Sequence, residues 1–203
     1  MIPNMEIPQP FILASSSAVR KKVLENHGIP FSAIESGIDE KSYIESHPIK
    51  RAQLLAREKA LHVANAHNEA WVCGCDTVLM ASNGEVLEKP RDSSDAERMM
   101  RLQSGQCTTI YTGMCIVPPR SILQQERELI QGLGEARMYF RSLGEDDIRW
   151  WLETQDWAGA AGAFRSQGQE RLLSAYDGDP TLLDGFSMDC LKRLVKRALD
   201  FVH

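Results

Sequence analysis

Residues 13–31 read LASSSAVRKKVLENHGIPF. Together with Phe11 and Ile12, Leu13 and Ala14 form a short apolar run that predicts a buried strand. Ser15, Ser16 and Ser17 follow. An amphipathic helix starts near Ala18, is ended by Gly28 and is followed by Pro30, and one of the serines is suited to cap it. A strand, a hydroxyl-rich turn and a helix N-terminus, with Arg20, Lys21 and Lys22 in the first turn, suit an anion. Free backbone N–H groups, the positive end of the helix dipole and cationic side chains would converge on one phosphate. Capped helices with a solvated basic turn are also common, so the rest of the chain must decide.

The chain has 203 residues, enough for a sound core in one domain or two small lobes, and we read it as a single domain over 1–203. With 43% hydrophobic and 25% charged residues it fits a soluble globular protein. A net charge of −5 argues against general nucleic-acid binding, which wants a basic face. No apolar run has the length of a membrane span. The opening MIPNMEIPQP has no basic region followed by an apolar core, so a cytoplasmic location is expected. The five cysteines, Cys73, Cys75, Cys107, Cys115 and Cys190, are irregularly spaced. Cys73-Gly74-Cys75 is not a C-x-x-C site, and buried small hydrophobes are the simpler reading.

Further along, Phe31 to Ser36 predicts a strand and Ile49 to Asn68 a long helix with Ala52, Leu55 or Ala56, Ala60 and Val63 or Ala64 on one face. Trp71 to Ala81, WVCGCDTVLMA, predicts a central strand covered on both sides. Asn83-Gly84 predicts a two-residue hairpin turn, with Glu85 to Glu88 as the return strand. Ser93 or Ser94 caps a helix over Asp95 to Gln103, closed by Gly105. Cys107 to Val117 predicts a strand, Gln124 to Glu128 a loop, Ala136 to Phe140 a strand and Glu145 to Glu153 a helix. Ala158 to Gly168 is a glycine-rich loop where backbone must approach something closely. Tyr176 to Pro180 is turn chemistry, and Met188 to Val202 the closing helix. Strands and helices interleave, giving an α/β or α+β class with a mixed sheet.

Asp76 is the residue that does not belong in its run. A carboxylate in an apolar strand costs free energy unless it is paired, hydrogen-bonded or metal-bound, and such carboxylates gather at active sites. Lys59 and Lys89 taken alone are surface lysines. Asp39 and Glu40 taken alone are a solvated acidic turn, although they could hold a divalent cation beside a phosphate. As a set, the cations Arg20, Lys21, Lys59 and Lys89, the carboxylates Glu40 and Asp76, and a glycine-rich loop reaching Gln167 are what metal-assisted phosphoanhydride hydrolysis needs.

The chain resembles the Maf proteins, a family of nucleoside triphosphate pyrophosphatases also described as septum-formation-inhibitor-like. Its LAS-x-S-P-x-R opening is similar to Leu13 through Arg20, followed by Leu24 and Gly28-Ile29-Pro30-Phe31. Its acidic pair looks like Asp39-Glu40, its helix lysine like Lys59-Ala60, and its G-x-D-T-V strand like Gly74-Cys75-Asp76-Thr77-Val78. Its K-P looks like Lys89-Pro90, its S-G like Ser104-Gly105, and its AGAY-x-x-QG loop like Ala161 through Gly168. The motifs are collinear over nearly the whole chain.

The resemblance implies a mixed twisted α/β sheet flanked by helices, with two lobes around a central cleft as in the inosine triphosphatase-like fold, often as a homodimer. It implies hydrolysis of a nucleoside triphosphate to the monophosphate and pyrophosphate with Mg²⁺ or Mn²⁺. In family terms Asp76 activates water, Ser15, Ser17, Arg20, Lys59 and Lys89 hold phosphates, and Glu40 with Asp76 carries the metal. Val19, Thr77 and Gln167 occupy substrate-choosing positions. Thr77 and Gln167 look like the branch acting on dTTP and UTP. Asp179-Pro180-Thr181-Leu182, Ala163-Phe164-Arg165-Ser166 and Tyr111-Thr112-Gly113 look like the branch acting on 7-methyl-GTP. Val19 replaces the arginine of the first and the tryptophan of the second. Ala18 stands for the family proline, and Gly185-Phe186-Ser187 for its G-L-P. The expected function is therefore a pyrophosphatase of either substrate type. The rival reading is a nucleotide-binding regulator of septum formation with little catalysis.

Overall fold

A computed structural model describes residues 7–122 and 129–200. The sequence-predicted loop at Gln124–Glu128 and the end of the closing helix at Phe201–Val202 lie outside the described residues. Among the described residues, seven strands form one mixed sheet: β1 (Phe11–Leu13), β2 (Ser32–Ala33), β3 (Trp71–Met80), β4 (Val86–Leu87), β5 (Cys107–Val117), β6 (Ile130–Phe140) and β7 (Leu173–Gly178). Their order is β2-β1-β3-β5-β6-β7, with β4 also on β3. β1 runs parallel to β2 and β3, whereas β3–β4 and β6–β7 are antiparallel. Six α-helices accompany them: α1 (Ala18–Asn26), α2 (Pro48–Ala66), α3 (Ser93–Gln103), α4 (Glu145–Thr154), α5 (Gln169–Leu172) and α6 (Met188–Asp200). No helix of the described residues is long and apolar enough to cross a membrane.

The chain forms two compact units. One takes the described parts of Met1–Asp76, Thr112–Gly134 and Gly185–His203, the other Thr77–Tyr111 and Glu135–Asp184. The first unit has apolar layers on both faces of its strands, as the continuous apolar run of β3 requires. Leu13, Trp71, Cys73, Cys75, Met114 and Ile116 pack with Val23 and Leu24 of α1 and Leu191, Leu194 and Val195 of α6. Ile12, Val72, Cys115 and Val117 pack with Ala60, Val63 and Ala64 of α2. In the second unit Leu79, Met99, Met100, Met138, Phe140, Trp151 and Phe164 form the core.

Two glycines decide how closely α2 lies on its face. A Cβ built at Gly74 would stand 2.1 Å from the Ala56 carbonyl oxygen and 2.7 Å from the Ala60 nitrogen. One at Gly113 would stand 2.7 Å from the Ala52 carbonyl. The obstacles are helix backbone, which cannot turn aside as a side chain can.

Several predicted boundaries shift. The second strand shrinks from Phe31–Ser36 to two residues. The return strand is Val86–Leu87, and the turn before it spans five residues because Met80 pairs with Val86. Asn83 and Gly84 do sit in that turn, with Gly84 at φ 86°. Asp92, not Ser93 or Ser94, caps α3: its carboxylate accepts from the Asp95 N–H at 2.8 Å. β6 begins at Ile130 rather than Ala136. Tyr176, Asp177 and Gly178 lie in β7 rather than in a turn, held by pairing with β6.

The start of β6 is met by α6. Arg193 Nη2 donates to the Leu133 carbonyl and Arg197 Nη1 to the Gln131 carbonyl, each at 3.2 Å. Arginines four apart on a helix rise about 6 Å, close to the roughly 6.7 Å between alternate residues of a strand. Further along the same strand the odd-numbered Tyr139 carbonyl accepts the Ser174 hydroxyl of β7 at 3.0 Å.

Candidate active site

Ser15 ends the β1 run and is buried. Its Oγ accepts from the Ser17 N–H at 3.3 Å and from Arg20 Nη1 at 3.4 Å. Ser17 is the cap of α1, its Oγ accepting from the Arg20 N–H at 3.5 Å. Arg20 also donates from Nε to the Gly185 carbonyl at 2.8 Å and from Nη1 to the Cys75 carbonyl at 3.1 Å. The arginine read as a phosphate ligand thus also ties the serine turn to β3, at the residue before Asp76.

Asp76 reaches its place by strand alternation. Val72 and Gly74 face α2, so Asp76 does too, one step beyond the glycine that lets the helix approach. Lys59 lies on the facing turn between Ala56 and Ala60. Its Nζ is 2.7 Å from Asp76 Oδ1 and 2.8 Å from Glu40 Oε1. Side-chain exposure is 9% for Lys59, 17% for Asp76 and 48% for Glu40, so the ammonium and Asp76 are withdrawn from water while Glu40 remains half open to it. Glu40 begins a single 3₁₀ turn, Glu40–Ser42, capped by Asp39.

Burial alone would pull the Lys59 pKa down, but the charges and hydrogen bonds of Asp76 and Glu40 outweigh it and hold the pKa above 10.5. A group with a raised folded-state pKa contributes stability that is fully present below its unfolded value and lost as pH rises through the folded one. Lys59→Met is therefore expected to cost about 2 kcal/mol at neutral pH, less than a fully buried pair would because Glu40 is half exposed. The deficit should narrow only above pH 10.5. Urea titrations at neutral and alkaline pH would check this, and a pH-independent difference would contradict it.

The structure brings Ser15, Ser17 and Arg20 into one cluster and Glu40, Lys59 and Asp76 into another, linked through the Cys75 carbonyl. Val19 is half-buried on α1. Three predicted residues belong to the second unit: Thr77 follows Asp76 along β3, Lys89 is exposed after β4, and Gln167 is exposed in the 3₁₀ turn Ser166–Gly168. Cys73, Cys75 and Cys115 are buried free thiols, and Cys190 is buried as well. Burial pushes Cys73 and Cys75 upward and Cys115 to about 12, so none of these three is an activated nucleophile.

Among the described residues no three or more His, Cys, Asp or Glu side chains gather as a metal-binding group. Glu40 and Asp76, both on Lys59, offer two hard oxygen ligands. That donor set fits a cation such as magnesium, which takes one or two carboxylates and completes its shell with water and phosphate oxygens.

A family model described as Maf-like protein matches residues 10–198. The chain belongs to the Maf-like protein family. Relatives at this level cover nearly all of the Maf-like chain. A dTTP/UTP pyrophosphatase of Pyrococcus abyssi is 33% identical over 91% of this chain and 94% of its own. A nucleoside triphosphate pyrophosphatase of a Synechococcus strain is 32% identical over 92% and 93%. Among solved structures, a HAM1 protein from Coxiella burnetii aligns with TM-score 0.43 at 11% identity, over 94% of this chain and 98% of that one.

The residues of this Maf-like chain that sequence reading missed are supports. The carbonyls of Cys75 and Gly185 that hold Arg20 lie 55 and 165 residues away in sequence. Gln103 is fully buried. Its signal was available: with Ala96, Met99 and Met100 it completes the inward helical stripe of α3, where a polar side chain needs a reason.

Proposed function

We propose that this Maf-like protein hydrolyses a nucleoside triphosphate to the monophosphate and pyrophosphate. The observation that carries the reading is Asp76, a carboxylate in an apolar strand held 2.7 Å from a buried ammonium. Lys59 fixes Asp76 Oδ1 by its 2.7 Å contact, leaving the other carboxylate oxygen to accept a proton from water. Water adds to the α-phosphorus, the bond to the bridging oxygen breaks, and pyrophosphate leaves with the electron pair. Ser15, Ser17 and the first turn of α1 orient phosphate oxygens, as a helix N-terminus does. Lys89 is assigned to phosphates, and Val19, Thr77 and Gln167 to the nucleoside. Glu40 and Asp76 would hold Mg²⁺ or Mn²⁺, which would neutralise developing charge. The relatives' names support the reaction class, and dTTP or UTP is the preferred substrate type on that ground, with 7-methyl-GTP the rival. The same reading takes the enzyme as cytoplasmic, acting on free nucleotides rather than nucleic acid, and homodimeric.

The test is pyrophosphate release from dTTP, UTP, CTP, GTP and 7-methyl-GTP with Mg²⁺, with Mn²⁺ and with excess chelator. Turnover of one or two members, lost with chelator, is the expected outcome. A folded protein that binds a nucleotide and turns over none would replace this reading with that of a nucleotide-binding regulator.

A further inference from the structure

Within the second unit, the turn Ala161–Ala163 is held in a conformation its sequence disfavours. Gly162 and Ala163 both have positive φ, 64° and 53°. For alanine that conformation costs roughly 1–2 kcal/mol, so the surroundings must impose it. A Cβ at Gly162 would stand 2.6 Å from Leu79 Cδ2. Three hydrogen bonds fix the turn, from the segment after β4, from α3 and from α4. The Gly162 N–H donates to the Glu88 carbonyl at 3.0 Å. Gln103 Nε2 donates to the Gly162 carbonyl at 2.8 Å. Trp151 Nε1 donates to the Ala163 carbonyl at 2.7 Å.

Gln103 and Trp151 are both fully buried. Gln103 Nε2 also donates to the Met99 carbonyl at 3.1 Å. That nitrogen's neighbours are acceptors, two carbonyls and the Met100 sulfur at 4.0 Å, so the NH₂ must face them, and Oε1 is left without a hydrogen-bond partner. A buried unpaired oxygen is destabilising, and leucine would fill the site without it. Stability alone does not account for glutamine here; the placement of the Gly162 carbonyl does.

What the turn places are the second-unit residues assigned to substrate. Glu88, which receives the Gly162 N–H, immediately precedes Lys89. After Ala163, Phe164 is buried edge-on against Phe140, ring centroids 5.2 Å apart. Gly168 is wedged where a Cβ would meet Leu172, Phe164 and Trp151. Arg165 to Gln167 is thus a short outward bow between two buried posts. We infer that Gln103 and Trp151 are positioning residues that lock the Ala161–Ala163 turn and through it seat Lys89 and Gln167 together. The inference rests on the pyrophosphatase reading for the roles of those two residues, not for the turn itself.

The experiment uses Gln103→Leu in the full chain. Its thermal midpoint is expected within a few degrees of the wild type's, because removal of an unpaired oxygen partly offsets the two lost hydrogen bonds. Amide exchange over residues 162–168 should quicken about tenfold or more, and KM for the preferred nucleotide should rise about tenfold with a smaller change in kcat. Combined with Gln167→Ala, the losses in kcat/KM should be less than additive, because the first change already displaces the second group. Unchanged exchange over 162–168 would overturn the inference whatever the activity. Faster exchange with unchanged KM, or strict additivity, would overturn the positioning role. If the wild type turns over no nucleotide, the pyrophosphatase reading falls, and the exchange result alone decides whether Gln103 locks the turn.

Discussion

Asp76→Asn is expected to lower pyrophosphate release from the preferred nucleotide by about three orders of magnitude, with the fold retained. Asparagine is nearly isosteric and its oxygen can still accept from Lys59 Nζ, now 2.7 Å from the carboxylate. What it loses is charge and the capacity to take a proton from water. The strand around it is fixed independently, since Val72, Cys73 and Cys75 are fully buried on either side of the sheet. Circular dichroism should therefore be unchanged while kcat falls. A variant retaining a tenth or more of wild-type turnover would remove Asp76 from the role of base and leave it a structural partner of Lys59.

Gly74→Ala should destabilise the protein by about 3 kcal/mol or more, at the upper end of overpacking effects. The added methyl would stand 2.1 Å from the Ala56 carbonyl oxygen, so either α2 lifts or β3 bends. Lifting α2 carries Lys59 away from Asp76, so activity should fall even where the variant is still folded. Gly113→Ala, against Ala52 on the same helix, should act in the same direction. Urea unfolding read by tryptophan fluorescence would measure the loss. A midpoint equal to the wild type's would mean that the close seating of α2 does not determine stability.

The elements legible in the sequence are those whose apolar periodicity is unbroken: β1 with α1, α2, β3, β5, α4 and α6. The first half of β6 was hidden by its own packing. Gly132 and Gly134 occupy alternate positions with Ile130 and Ala136, where side chains would have announced a strand. At Gly132 a Cβ would stand 2.8 Å from Cys190 Sγ and 3.0 Å from Leu194. The approach of α6 thus removed the side chain that would have carried the signal. β7 was hidden for the opposite reason: its residues are half-buried or exposed, and its strand character comes from its partner's backbone. At the site, Asp76 stood out because its neighbours are apolar. Its pairing with Lys59 was not legible: the family resemblance assigned that lysine to phosphates, and 17 residues and a change of element separate the two. Arg20 shows where such reading stops, because backbone carbonyls leave no mark in a sequence.

The arginines of α6 bear on assembly. An unpaired strand edge is a socket into which a strand of another molecule can plug, main chain to main chain. On β6 that socket is already filled from within, as the carbonyls of Gln131 and Leu133 each hold a guanidinium. A second copy could extend the sheet there only after breaking two charge-assisted bonds. The homodimer proposed for this protein is thus expected to be built on other surfaces, and a dimer paired along residues 130–135 would contradict that.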